Sequence, residues 1–157
     1  MVPAGELMRA EPADAPELQA VFLAAKAHWG YPADWMARLA QIVVVTPAYV
    51  AGNDTWKLVG DGRICAWTSL HFHRDTVTLD NLWVRPDCMN RGLGRRLFTH
   101  AVERCRVAGA ARMTIEADPN ATGFYEHMGA RVIGQVRTEM ERDVPLLELD
   151  VPSFADR

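Results

Sequence analysis

The apolar positions in the first third of the chain follow the spacing of two helices. From Asp14 onward they recur at intervals of three and four residues up to Gly30, which is typical of a helix with one buried face. Asp14 and Glu17 predict a capping box at the start of this helix. A second stripe of the same period follows Asp34, which we expect to cap it, and ends at Pro47 because proline does not continue a helix.

The next thirty residues change to the pattern of strands. Asp61-Gly62 separates two runs rich in β-branched and aromatic residues, which is a strong signal for a β-hairpin. The predicted strands are residues 55–60, 63–71 and 76–85.

The third of these strands contains a change of phase. Its apolar side chains move from odd to even positions: Val77, Leu79, Leu82 and Val84. One extra residue near Asp80-Asn81 accounts for the change and predicts a β-bulge. Because bulges bend strands and re-aim side chains beside active sites, this strand is a candidate part of a site. The alternative is a regular strand whose pattern is blurred by Trp83.

The rest of the chain alternates between helices and strands. A third helix is predicted over residues 92–108, a short helix over 120–128 with Asn120 as its cap, and strands over 113–117, 132–140 and 146–151. A helix between two strands implies a parallel βαβ unit over residues 76–117. We therefore expect an α/β (α+β) fold in a single domain over residues 1–157.

Charge and composition exclude several classes of protein. The chain has 157 residues, with 17 Lys and Arg against 20 Asp and Glu and a net charge of −3, whereas a nucleic-acid-binding domain normally has a basic excess. The longest aliphatic run, residues 42–45, is far shorter than the ~20 residues that span a bilayer. Charged residues in the first twenty positions argue against a signal peptide, so we expect a cytoplasmic protein without nucleic-acid or membrane partners. No metal site is predicted, because the spacing of the cysteines fits neither zinc ligands nor a disulfide framework: Cys65, Cys88 and Cys105.

The segment 85–96 has the opposite charge to the whole chain. It carries four arginines and one aspartate, a local charge of +3. Gly92 and Gly94 allow a tight turn at the start of the predicted helix, whose first amides have no intrahelical partners. The segment therefore predicts a cradle for a polyanionic ligand. The alternative is a solvated basic loop with a glycine turn.

This segment and the run DPNATGFYEHMGA together resemble the GNAT superfamily of acyl-CoA-dependent N-acetyltransferases. In that family a strand, a pyrophosphate-binding loop of the pattern Gln/Arg-x-x-Gly-x-Gly/Ala and a helix precede another strand and a helix with a Phe-Tyr pair, here Phe124-Tyr125. Met89 stands where the pattern has Gln or Arg, so we expect weaker anchoring or substitution by Arg91. The resemblance implies a mixed sheet of about six to seven strands with a bulged, splayed central strand and flanking helices, and acetyl-CoA or CoA as cofactor.

The resemblance also implies where the cofactor binds. Leu82, Trp83 and Val84 would hydrogen-bond the pantetheine amides as an added strand would, the amides of residues 89–95 would hold the pyrophosphate, and Asn120 would contact the cofactor arm. The complete predicted set is Leu82, Trp83, Val84, Met89, Asn90, Arg91, Gly92, Leu93, Gly94, Arg95, Asn120 and Tyr125.

Acetyl transfer to an amine is helped by a base and an acid. An amine of pKa ~10.4 is neutral in only about one molecule in 10³ at pH 7, so a base, or a water leading to one, is useful. Asp80 is the first candidate base, Glu116 the second and His28 the third. Tyr125, like the tyrosine of the family's Phe-Tyr pair, would protonate the departing thiolate. The alternatives are ordinary structural roles for the three bases and, for Tyr125, packing beside Phe124.

Aromatic residues at the end of the first helix predict the acceptor side. His28, Trp29 and Tyr31 lie where this family commonly builds it, and they favour a pocket for the primary amine of a small molecule, with core packing as the alternative. A protein lysine or N-terminal acceptor and a CoA-binding module without catalysis are the competing functions. The resemblance also suggests a homodimer.

Overall fold

The computed structural model describes residues 5–74 and 76–153. The strands are β1 (Glu6–Arg9), β2 (Asp54–Gly60), β3 (Arg63–Phe72), β4 (Thr76–Val84), β5 (Arg112–Glu116), β6 (Arg131–Arg137) and β7 (Asp143–Asp150). The helices are α1 (Ala15–His28), α2 (Ala33–Ile42), α3 (Pro47–Gly52), α4 (Leu93–Val107) and α5 (Thr122–His127). Among the described residues, no helix is long and apolar enough to cross a bilayer.

All seven strands belong to one mixed sheet in the order β1-β2-β3-β4-β5-β7-β6. β4 and β5 are parallel and are joined through α4, as the predicted βαβ unit requires. β6 and β7 form an antiparallel hairpin, and β7 rather than β6 pairs with β5. The predicted mixed sheet with flanking helices is therefore confirmed.

Helices cover both faces of this sheet. On one face, α1 packs against β3, where Leu18 and Phe22 surround the fully buried Trp67. On the other face, α4 packs against β3 and β4 through Phe98 and Leu97. Because each helix buries one apolar stripe, the sheet lies between two hydrophobic cores.

The predicted bulge in β4 is present, and Asp80 is the extra residue. Ser69 of β3 pairs with Asn81, whereas the next residue, Leu70, pairs with Leu79. The apolar residues on both sides of the bulge pack toward the α4 face of the sheet: Val77, Leu79, Leu82 and Val84. The change of phase in the sequence therefore keeps the apolar side chains of β4 on the α4 face of the sheet on both sides of the bulge.

The predicted start of α1 is confirmed, but the predicted capping hydrogen bonds are not formed. Asp14 is the N-cap residue of α1 but makes no side-chain cap hydrogen bond there, because its capping box is made with Glu11 around the preceding 3-10 turn. Asp34 lies inside the first turn of α2 and does not cap it. Asn120 does not cap α5, because a second 3-10 turn comes before that helix and is capped by the side chain of Asp118. Both intervening turns begin with proline, which suits the first position of a short helical turn.

Two elements were not predicted. β1 has only four residues and lies within a segment that we expected to be helical or irregular. α3 begins at Pro47, the residue expected only to end a helix, and Thr46 caps it by accepting a hydrogen bond from the Tyr49 amide at 3.0 Å. Pro47 therefore marks a helix start, which its missing N–H allows.

Candidate active site

The centre of the sheet opens where β4 leaves β5. Their ladder ends at the pair Leu79–Ile115, immediately before the bulge, so residues 81–84 are paired with β3 on one side only. Two cavities lie at this opening, and Trp83 lines both of them. The bulge thus creates a groove through the sheet, because it bends β4 away from its parallel neighbour.

The first cavity, of about 400 Å³, lies between the end of β4 and the starts of α4 and α5. We call it the cofactor groove. Eleven of the twelve predicted cofactor residues line it: Leu82, Trp83, Val84, Met89, Asn90, Gly92, Leu93, Gly94, Arg95, Asn120 and Tyr125. Arg91 is exposed and is not among the lining residues.

The loop before α4 has the backbone of an anion cradle. Asn90 has φ 63° and Gly92 has φ 76°, so two left-handed residues flank Arg91. Such alternation turns successive amides toward one side, and the first amides of α4 extend the same surface. The left-handed conformation of Asn90 was not predicted, although asparagine is one of the few side chains that tolerates it.

The arginines of this segment are divided between structure and solvent. Arg85 donates from Nε to the Ile64 carbonyl at 2.7 Å, and Arg96 donates to the Gly5 carbonyl. Asp87, the one acid of the segment, forms an ion pair with Arg63 at 2.7 Å. The charge left facing the groove is therefore that of Arg95, supported by the amides of the cradle.

Tyr125 lies at the inner end of the cofactor groove. Tyr125 is only 6% exposed, and its ring contacts Phe124 and Phe98 at centroid distances of 5.3 and 6.0 Å. Burial, and then the negative charge of Asp118, raise the pKa of Tyr125 well above its ordinary value of 10.0. The hydroxyl group is therefore held protonated beside the groove.

The second cavity, of about 350 Å³, lies on the α1 face of the opening. We call it the acceptor cavity. Five stretches of the sequence wall it: residues 22–26, 35–49, 80–83, 116–118 and 138–144. Its polar lining residues include Lys26, Tyr49, Asp80, Asn81, Glu116, Asp118, Glu139 and Arg142.

The two leading candidate bases, Asp80 and Glu116, both line the acceptor cavity. Burial, and then the charges of Asp80 and Glu139, raise the pKa of Glu116. Asp80 accepts a hydrogen bond from the Tyr49 hydroxyl, which in turn accepts one from Asn81 Nδ2 at 2.9 Å. The bulge therefore brings one carboxylate to the opening, and the end of the neighbouring strand brings the other.

A charged cluster that the sequence analysis missed joins the two cavities. Asp118 Oδ2 accepts from Lys26 Nζ at 2.7 Å, from the Tyr31 hydroxyl at 2.7 Å and from Arg142 Nη2 at 3.2 Å. Its Oδ1 accepts from the amide and the side chain of Asn120, at 2.8 and 2.9 Å. The carboxylate thus links an acceptor wall to a residue of the cofactor groove.

Electrostatics keep Asp118 ionised at neutral pH. Burial alone would raise the pKa of Asp118, but the hydrogen bonds from Lys26 and Tyr31 and the charge of Lys26 outweigh it and bring the pKa to about 2. Burial lowers the pKa of Lys26, and Asp118 opposes that effect. The one signal in the sequence was that Lys26 falls four residues after Phe22, on the buried stripe of α1.

The predicted acceptor residues separate in the structure. His28 is exposed at the end of α1 and is not among the residues that line the two cavities. Trp29 lines the cofactor groove instead of the acceptor cavity. Tyr31 reaches the acceptor side by stacking on Trp35, with ring centroids 4.1 Å apart, and by donating to Asp118.

The cysteines lie in the hydrophobic cores. All three are buried free thiols, and burial raises the pKa of Cys88 to about 11 and that of Cys105 to about 12. Because the thiolate is the nucleophilic form, these two side chains are poorly suited to covalent catalysis.

The residues of the cofactor groove fit a pantetheine-pyrophosphate ligand. The β4 edge without a β5 partner presents peptide groups to an extended amide chain, and the cradle at Gly92 presents amides to phosphates. A splayed sheet, an amide cradle before α4 and two cavities back to back define a protein with the architecture of N-acetyltransferases.

The chain belongs to the GNAT acetyltransferase family. The sequence profile described as "Acetyltransferase (GNAT) family" matches residues 19–130, well over half of the chain. This confirms the family resemblance that the glycine loop and the Phe-Tyr pair carry.

Curated relatives match just under half of the chain. The [ribosomal protein bS18]-alanine N-acetyltransferase of Salmonella typhimurium is 33% identical over 76 residues, which is 46% of this chain and 51% of that protein. The peptidyl-lysine N-acetyltransferase YjaB of the same organism is 32% identical over 75 residues, 47% of this chain and 50% of that protein. The chain thus spans about half the length of the curated relatives it matches.

Solved structures show the same fold over nearly the whole chain. The PaiA N-acetyltransferase of Thermoplasma acidophilum, in complex with coenzyme A, has a TM-score of 0.76 at 12% identity and covers 92% of this chain and 98% of that one. The ribosomal-protein-S18-alanine N-acetyltransferase of Escherichia coli has a TM-score of 0.67 at 23% identity and covers 94% of both chains. At these identities the likeness shows the fold alone.

Proposed function

We propose that the protein is an acetyl-CoA-dependent N-acetyltransferase that acts on the primary amine of a small molecule by direct attack in a ternary complex. One observation carries the proposal: the cofactor groove and the acceptor cavity meet at Trp83, where β4 leaves β5. One cavity contains the anion cradle and the other contains the carboxylates, so a thioester and an amine would meet in the opening of the sheet.

The side chains at the opening have complementary roles. Bound acetyl-CoA would supply the acetyl thioester. Asp80 or Glu116 takes a proton from the amine, directly or through water, and Tyr125 holds the proton that the departing sulfur needs. The cradle and the edge of β4 orient the ligand, which turns a bimolecular encounter into a reaction between groups already in place.

A panel of amines tests the function with the full chain. We expect release of CoA from acetyl-CoA with small primary amines. Turnover only with peptides would replace this proposal by a protein acetyltransferase. Tight CoA binding without turnover on either class would indicate a CoA-binding module. The walls of the acceptor cavity come from five stretches of the sequence and enclose a concave site, which supports the small-molecule acceptor.

A protein acceptor is the second candidate, and the names of the relatives favour it. Two of the curated relatives are named as acetyltransferases of an alanine of ribosomal protein bS18 and of peptidyl-lysine. Peptides that begin with alanine and peptides with one internal lysine therefore belong in the panel.

The homodimer stays a prediction, supported by the exposed Val132 and Ile133 on the edge strand β6.

Gly92→Asp should weaken CoA binding by at least 10-fold. The substitution places a side chain and a negative charge in the cradle, at a backbone φ of 76°. Gly109→Asp is the matched control, because Gly109 has φ 77° and lies just beyond the other end of α4. Both variants should lose about 1 kcal/mol of stability from the left-handed backbone, since aspartate tolerates this conformation only in part. Titration calorimetry with CoA that finds equal affinities for the two variants would place the pyrophosphate elsewhere.

The pH profile distinguishes the two candidate bases. If Glu116 is the base, Glu116→Gln lowers kcat/KM by about 10²- to 10⁴-fold, and raising the pH restores activity as the amine itself loses its proton. Asp80→Asn then moves the acid limb of the profile to lower pH, because the charge of Asp80 helps to raise the pKa of Glu116. If Asp80→Asn instead removes the limb and most of the rate, Asp80 is the base. Unchanged profiles in both variants would exclude both carboxylates.

A further inference from the structure

The charges of the acceptor cavity are separated into two groups. Lys26 and Arg142 surround Asp118 at one end, which we call the basic corner. Asp80, Glu116 and Glu139 form the other group, the acidic corner, where Asp80 and Glu139 act on the pKa of Glu116. Residues of both corners line the cavity. A ligand with both a positive and a negative group would complement such a cavity.

The basic corner has one positive charge more than it has negative charges. Lys26 Nζ and Arg142 Nη2 both contact the single carboxylate of Asp118, at 2.7 and 3.2 Å. The Lys26 side chain is only 10% exposed, so solvent screens its charge weakly. A surplus charge in this position favours an anionic partner from the cavity.

Arg142 lies at the wall of the cavity beside two aromatic rings. Its guanidinium carbon lies 5.0 Å from the ring centroids of both Tyr31 and Trp35, which stack on one another. These cation–π contacts favour this position of the guanidinium group. Contacts with Asp118 and Tyr31 use at most two of its five N–H groups, so others remain for a carboxylate.

The two corners lie next to each other along one stretch of the chain. Glu116 is the last residue of β5 and Asp118 follows two residues later, and both line the cavity. An α-amino acid carries its nitrogen and its carboxylate on one carbon atom. It therefore offers a cation to the acidic corner and an anion to the basic corner over a short distance.

The remaining wall of the cavity is apolar. The α2–α3 connection lines it with aliphatic side chains, of which Ile42 and Val44 are 41% and 53% exposed. Leu39 and Met140 continue this surface inward. An apolar side chain on the ligand would remove the exposed aliphatic surface from water.

We infer that the acceptor is a free α-amino acid with an apolar side chain, its carboxylate bound by Arg142 and Lys26 and its amine placed at Asp80 and Glu116. This inference rests on the proposed function. In the reaction the amine nitrogen bonds to the acetyl carbon while the carbon–sulfur bond breaks. The ammonium form first loses a proton to water. The neutral amine then gives one proton to the base and the sulfur receives one from Tyr125, so the products are an N-acetylamino acid and CoA. The base afterwards releases its proton to water and Tyr125 regains one from water, which restores both groups.

Three amines that share the same branched alkyl group test the inference on the wild-type chain. Leucine has the carboxylate, leucinamide has it masked, and 3-methylbutylamine lacks it. After correction for the fraction of neutral amine, leucine should show a kcat/KM about 10- to 100-fold above the other two, as expected for hydrogen bonds to a charged group. Calorimetric titration into the protein saturated with CoA should give the same order of affinities without relying on turnover.

Arg142→Gln should reduce the preference for leucine over 3-methylbutylamine to within about 3-fold, mainly through KM, and Arg142→Lys should restore part of it. Arg38→Gln is the matched control, because Arg38 pairs with Glu141 at 3.4 Å and does not line the cavity. That variant should keep the wild-type preference.

Several results would overturn the inference. They are equal use of the three amines by the wild type, an equal loss for all three in Arg142→Gln, and acetylation of peptides alone. If Arg142→Gln fails to fold, the wild-type comparison still decides. Absence of acetyl transfer to every amine and peptide is a different result, since it rejects the proposed function itself.

Discussion

Tyr125→Phe is expected to lower the turnover number by about 10²- to 10⁴-fold while leaving the protein folded. The ring would keep its contacts with Phe98 and Phe124. No hydrogen bond ties the Tyr125 hydroxyl to another described residue, so its removal leaves no buried partner unsatisfied. The loss should therefore fall on kcat, with little change in CoA affinity or in Tm.

The raised pKa of Tyr125 does not prevent proton donation. A phenol and a thiol in water differ by only about 1.5 pK units. Burial raises the pKa of Tyr125, and a thiolate departing into the same groove would lose solvent as well, which raises its own pKa. The pKa difference between the Tyr125 hydroxyl and the departing thiol, which governs the proton transfer, therefore stays small. Tyr125 stays protonated throughout the working pH range.

Tyr49→Phe is the control for this prediction. Tyr49 lines the acceptor cavity and donates to Asp80, so its loss should change the acid limb of the pH profile rather than remove turnover at every pH. If Tyr125→Phe keeps wild-type kcat across the active pH range, Tyr125 is not the general acid.

Asp118→Asn should destabilise the protein by about 3–5 kcal/mol, since it leaves the buried ammonium of Lys26 without a charged partner. For a chain of this length, each kcal/mol corresponds to roughly 2–4 °C in Tm. Asp87→Asn is the matched control. Asp87 pairs with Arg63 at the same 2.7 Å as Asp118 with Lys26, but both partners are exposed to solvent, so Tm should hardly change.

A double variant separates charge from packing in this prediction. Lys26→Met with Asp118→Asn removes the unpaired cation and should recover part of the lost Tm. An Asp118→Asn protein as stable as the wild type would show that the pair contributes nothing.

The same carboxylate sets a dependence of stability on pH. Because the pKa of Asp118 is lowered from its ordinary 3.8 to about 2, its contribution is fully present above about pH 4 and is lost as the pH falls toward 2. When fully present, the lowered pKa of Asp118 contributes about 2.5 kcal/mol to the free energy of unfolding. Denaturant melts between pH 2 and 5 should show a shallower acid loss in Asp118→Asn than in the wild type.

The parts of the site that follow local patterns were predictable from the sequence. The bulge at Asp80 appears as a change of phase within one strand, because the side-chain period of a strand is two. The cradle at Gly92 appears as glycines at a helix start with a reversed local charge. Neither depends on which distant segments meet.

The basic corner was not predictable, because only the folded sheet assembles it. Lys26, Asp118 and Arg142 come from α1, from the end of β5 and from the turn between β6 and β7. Arg142 reaches Asp118 because β7 pairs with β5, a strand order that no periodicity reveals. His28 lies away from both cavities because it is two positions after Lys26 on α1, so the two side chains point in different directions.

The position of β7 also determines when during folding the protein becomes competent. β7 is the last strand in sequence, yet it lies inside the sheet between β5 and β6, and the turn that precedes it carries Arg142. The contact of Arg142 with Asp118 closes only after the C-terminal hairpin docks on β5. Completion of the basic corner therefore waits for that hairpin, whereas the left-handed turns of the glycine cradle lie within the few residues before α4.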